Sequence, residues 1–153
     1  MTAIFLLILL SSKSFCSDSS WALKRNLDGV KVYQFKDRSN VTASIQSLEK
    51  MNINFNDPNL ISVIDKLKLQ KQEALKYAGI TNWVLSETKL DPKQQKIIFK
   101  GSYVDSSLTK IEFHEEHFYL KNKTTHVLLT WPYDFEQGRD VSKEFINTFD
   151  KEE

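Results

Sequence analysis

The side chains best equipped for chemistry stand together at His114-Glu115-Glu116-His117, inside the stretch from Ile111 to Leu120. Two imidazoles and two carboxylates could ligate a divalent ion or share acid–base work. Spacing decides between these uses. A metal-binding helix sets its histidines four apart, as in His-Glu-x-x-His, so that both rings stack on one face. Here the step is three. On a strand successive side chains alternate, so His114 and His117 face opposite ways, as do Glu115 and Glu116. A β-bulge would reunite the histidines, and the phase change from Ile111/Phe113 to Phe118/Leu120 is the kind of break a bulge makes.

His114 and His117 therefore stand as a possible metal pair, while no cofactor is expected. The preferred reading is that the quartet decorates a strand, either solvated or at a sheet edge that its charges protect. For catalysis Glu116 would need His126 or Arg139 beside it. No nucleophile offers an alternative. Cys16 is the one cysteine, no serine sits in a Gly-x-Ser-x-Gly elbow, and no phosphate-loop or dinucleotide pattern occurs. The chain reads as a non-enzyme, with no catalytic residue assigned.

Aromatic residues are the other candidate site. Trp83, Phe99, Tyr103, Phe113, Phe118, Tyr119, Trp131 and Tyr133 could line a groove, although large β-formers more commonly fill a sheet's core. Trp131-Pro132-Tyr133 follows the last expected strand and is expected to stay partly exposed. With Trp83 and Tyr103 it forms the candidate binding surface.

The elements that position these residues follow from periodicity. Val30 to Phe35 alternates as a strand after the turn Asp28-Gly29, and a second strand follows from Val41, with Arg38 to Asn40 as the turn between them. From Leu60 the spacing changes to Leu60, Ile64, Leu67, Lys71, Ala74/Leu75 and Ala78, a helical stripe with one polar gap. Asn56 or Asp57 caps it, Pro58 enters its first turn, and Gly79 closes it. Four strands come next, at "TNWVLSETKL", "QQKIIFKGSYV", "TKIEFHEEHFYL" and "THVLLTWP". A helix capped by Asp140 then carries Val141, Phe145, Ile146 and Phe149. The expected fold is α+β: a mainly antiparallel sheet in the order β-β-α-β-β-β-β-α, packed against a long central helix and a C-terminal helix.

The first sixteen residues read differently. Ala3 to Leu10 is an unbroken apolar run, too short to span a bilayer and suited to a signal peptide, with cleavage between Cys16 and Ser17. No Lys or Arg precedes that run. Lipidation of Cys16 is the minority alternative, since Phe15 and Lys13 are poor neighbours for it. The expected division is a signal peptide at 1–16 and a single domain at 17–153, exported, periplasmic or secreted, with no transmembrane span in the mature part. Without Lys13 the 21 basic residues become 20, level with the 20 acidic ones. A net charge near zero gives nucleic-acid binding no electrostatic basis.

The central helix, the strand through Gly101-Ser102-Tyr103, "THVLLTWP" and the terminal helix near Phe149 together resemble the PsbP-like α/β/α sandwich of small exported proteins. That resemblance covers Val30 to Phe149 in topology, and it implies a noncatalytic accessory or binding protein. "WALKRNLDGVKVY", Trp21 to Tyr33, is locally similar to the opening of bacterial START-type domains, which implies a carrier of a hydrophobic ligand. The leading expectation is an exported noncatalytic protein that binds another protein or an envelope component. The alternatives are the hydrophobic-ligand carrier and, least favoured, a metal-assisted hydrolase.

Overall fold

The computed structural model describes residues 20–49, 53–119 and 123–149. The leader expected at 1–16, with Cys16 and Ser17, lies outside them. Seven strands form one sheet: β1 (Trp21–Leu27), β2 (Val30–Phe35), β3 (Arg38–Leu48), β4 (Thr81–Asp91), β5 (Lys96–Val104), β6 (Lys110–Tyr119) and β7 (Thr124–Pro132). Two helices accompany them, α1 (Leu60–Tyr77) and α2 (Gly138–Phe149). The spatial order is β1-β2-β3-β7-β6-β5-β4, and every neighbouring pair is antiparallel. Two meanders, β1 to β3 and β4 to β7, are thus joined along β3 and β7, and α1 lies in the connection between them.

This overturns the expected architecture on two counts. A seventh strand, β1, precedes the first expected one. Its side chains are mostly exposed and a bulge interrupts it between Leu23 and Arg25, so it lacks the alternation that marks a half-buried strand. Asp28 (φ 51°) and Gly29 (φ 78°) form the two-residue hairpin turn from β1 to β2, in the left-handed conformation such turns require. Nor is there a long central helix packed on the sheet. Of the 18 residues of α1 only Leu60 and Ile64 are buried, while Ile61, Leu69 and Tyr77 are exposed.

Smaller boundaries move as well. The β2–β3 turn falls at Lys36-Asp37, because Arg38 already pairs with Phe35. The cap of α1 is Asn59, without a side-chain bond, and Asp57 Oδ1 instead accepts the Asn59 amide at 2.8 Å. Gly79 (φ 73°) does terminate α1, with the Ile80 amide returning to the Leu75 carbonyl at 2.9 Å. Asp140 sits inside the first turn of α2, two residues after its start.

The core lies mainly under α2. Val141, Phe145, Ile146 and Phe149 press onto Trp21, Tyr33, Val41, Ala43, Val127 and Leu129. Phe145 meets Trp21 and Tyr33 edge to face, with centroids 4.9 and 5.4 Å apart. The opposite face carries a smaller cluster of Ile64, Ile97, Phe99, Phe113 and Tyr119.

Gly101 is required where β4 crosses that second cluster. A Cβ there would come within 2.1 Å of the Val84 carbonyl oxygen and 2.9 Å of the Phe113 ring. Gly101→Ala should therefore cost about 1–3 kcal/mol through overpacking. Denaturant unfolding would read this as a lower midpoint with an unchanged slope.

Candidate functional site

β6 lies between β5 and β7, so the quartet is neither at an edge nor in solvent. Glu115 is 4% exposed and Glu116 3%. The expectation of a solvated or charge-guarded edge stretch is thereby corrected. Alternation along β6 does hold, because its register with both neighbours runs without a bulge. His114 and Glu116 face α2, whereas Glu115 and His117 face α1. The pair His114/His117 is split between the two sides of the sheet and cannot share an ion.

Each carboxylate has its own partners. On the α2 face His114 Nε2 lies 2.7 Å from Glu116 Oε1, and Lys96 Nζ lies 2.8 Å from Oε2. The Lys96 contact pairs two charged groups that are both buried. On the α1 face Glu115 Oε1 accepts from His117 Nε2 and His126 Nε2, each at 2.9 Å. Lys71 Nζ, reaching down from α1, pairs with Oε2. The two rings are direct cross-strand neighbours, with centroids 4.6 Å apart and planes inclined by 28°. Phe99 stands against His117 edge to face at 5.7 Å.

Burial alone would raise the Glu115 pKa. The hydrogen bonds from His117 and His126, with the Lys71 charge, reverse that and hold it far below the usual carboxylate range. Glu116 is lowered in the same way, burial opposing and His114 and Lys96 prevailing. Burial is the largest influence on His117 and pushes its pKa below the ordinary imidazole value; His126 and Lys71 act the same way, and the hydrogen bond to Glu115 only partly opposes them. The Tyr119 hydroxyl, desolvated and near the Glu115 charge, is pushed up to about 12.

Among the described residues two hollows flank these networks. The one on the α1 face holds about 290 Å³; Leu67, Ala74, Trp83 and Phe99 are its apolar lining, and Lys68, Gln70, Lys71, Glu115, His117 and His126 its polar lining. It exists because α1 is seated through Leu60 and Ile64, near its start, while its later turns stand over the sheet. The other, about 250 Å³, lies beside α2 among Glu87, Lys100, Glu112, His114, Trp131 and Arg139. Its charges are already engaged: Lys100 with Glu87 at 2.9 Å, and Arg139 with Glu112 at 3.3 Å.

The aromatic candidates separate. Trp131 is only 4% exposed, against expectation, because it lies over Gly138 and donates Nε1–H to Glu112 Oε2 at 3.0 Å. Tyr133 is 58% exposed beneath the Lys110 ammonium, 3.8 Å from its ring centroid. Tyr103 is partly buried against Phe113. Trp83 alone of the four lines the α1-side hollow. Arg139 and His126, weighed as partners for Glu116, serve Glu112 and Glu115 instead.

Two residues of this site were not assigned to it from sequence. Lys71 is the polar gap in the α1 stripe, and that gap was its signal. His126 interrupts an otherwise apolar and threonine-rich strand, but only the register places it opposite His117. Among the described residues no helix is long and apolar enough to cross a membrane. No protein-family model matches the chain and no curated protein matches it, and nothing in these comparisons identifies a PsbP-like or START-type relationship.

Proposed function

We propose that this is an exported, noncatalytic binding protein whose ligand occupies the hollow between α1 and the sheet. The observation that carries the reading is the character of that hollow. Leu67, Ala74, Trp83 and Phe99 make apolar walls, while Lys71, Glu115, His117 and His126 gather on its floor. A mostly apolar cavity with a few convergent polar groups is the usual form of a small-molecule site, and its volume is near the lower bound of about 300 Å³ for such sites. The buried indole N–H of Trp83 has no hydrogen-bond acceptor among the described residues. A ligand with an apolar body would suit the hollow.

The same geometry argues against acid–base catalysis. A general base works best with a pKa near the working pH. Glu115 is held far from that, with both oxygens engaged by cationic or N–H donors. Export rests on the apolar run from Ala3 to Leu10, and the carrier reading agrees with the local START-type similarity at Trp21–Tyr33.

Native mass spectrometry of the chain purified from its own host tests the proposal. The expected result is a small organic adduct that is released on denaturation and is absent from Leu67→Glu, which places a charge in the apolar wall. Bare mass in every preparation would sink the reading.

A further inference from the structure

Glu115 and His117 are two apart on one strand, and His126 is the cross-strand partner of His117. These three side chains therefore project from the same patch of sheet. Their nearest ligand atoms, one carboxylate oxygen and two imidazole nitrogens, all lie within 4.8 Å of one another. They line a hollow that leaves one side of the group uncovered. The fourth member, Lys71, is different in kind. It comes from the loosely seated helix, and its ammonium is the cation nearest the carboxylate.

We propose that Glu115, His117 and His126 form a binding site for a divalent transition-metal ion of the zinc type, with the Lys71 ammonium holding the cation position until the ion arrives. Two imidazoles and a carboxylate suit a borderline ion such as zinc, and three protein ligands leave a coordination position facing the hollow. Both rings now aim Nε2 at Glu115. As a neutral ligand each ring would carry its proton on Nδ1 and offer the Nε2 lone pair to the ion. Charge makes the exchange with Lys71 obligatory. One carboxylate balances one ammonium, but an ion of charge two beside that ammonium would set like charges together in a buried place. Lys71 must swing away, which its flexible four-carbon stem allows.

This site does not depend on an organic ligand, so its test is separate from that of the carrier reading. The chain is stripped with a chelator, then titrated with Zn²⁺ by calorimetry and with Co²⁺ by visible absorption. One ion per chain is expected, with cobalt bands of low coordination number. His126→Gln should abolish stoichiometric binding, and Lys71→Met should tighten it by about tenfold or more, since a competing charge is gone. His114→Gln, altered on the other face, should bind like the parent chain. Circular dichroism checks that each variant is folded. Absence of stoichiometric zinc in the parent chain overturns the proposal, whatever the variants do. So does unchanged binding in folded His126→Gln, or weaker binding in Lys71→Met.

Discussion

Glu116→Ala is expected to lower the stability of this chain by about 3–5 kcal/mol. The side chain is buried in the middle of the sheet, between His114 and the ammonium of Lys96, which is itself buried. Removing the carboxylate takes away the charge that lies 2.8 Å from that ammonium in a low-dielectric interior. It also strips the acceptor from His114 Nε2. For a domain of ordinary stability, about 5–15 kcal/mol, this is a large share of the total. Lys96→Met combined with Glu116→Leu should recover most of the loss, because an apolar pair of similar volume needs no desolvation. Denaturant midpoints for the two single variants and the double variant close the cycle. If the double variant is as unstable as Glu116→Ala, burial of charge is not the cause.

The same carboxylate gives the chain an acid limit. Its folded pKa lies below the ordinary value of 4.5, so its contribution to stability is complete above that pH. As pH falls the unfolded chain takes up the proton first, and stability drops until the folded pKa is passed. The midpoint of the parent chain should therefore fall below pH 4.5. In Glu116→Gln that part of the slope should flatten.

Phe145→Ala should also cost about 3–5 kcal/mol. Phe145 is 1% exposed at the centre of the α2 interface, where it meets Trp21 from the edge strand and Tyr33 from the next. Its removal opens a cavity that three different elements would have to collapse to fill. Leu69→Ala on α1 is the contrast. That side chain is exposed, so the change should stay within about 0.5 kcal/mol. Denaturant unfolding reads both, and near-ultraviolet circular dichroism reports whether Trp21 loses its fixed surroundings. A small loss at Phe145 would mean that packing of α2 adds little to the β3–β7 pairing that joins the two meanders.

The candidate site was half legible. Alternation of faces correctly separates His114 from His117 and Glu115 from Glu116, since it depends only on the pleat. What the four residues do after that separation depends on neighbours far away in the chain. His126 reaches Glu115 through the β6–β7 register, and Lys71 reaches it from a helix 44 residues earlier. The solvated reading failed because charge in a short stretch says nothing of where its strand sits in the sheet. Here the strand is interior and the charges are matched across it.

Local physical chemistry determined the pieces that depend on near neighbours. These include the left-handed turn at Gly29, the end of α1 at Gly79, the apolar stripe of α2, and the alternation of β6. Each is decided by backbone sterics or by side chains within one turn or one hairpin. Only the tertiary structure decided that β3 pairs with β7, that β1 completes an edge, and that α1 covers so little of the sheet. Those outcomes turn on which long-range pairings bury the most apolar surface and leave the fewest buried charges unmatched, a comparison no local window contains.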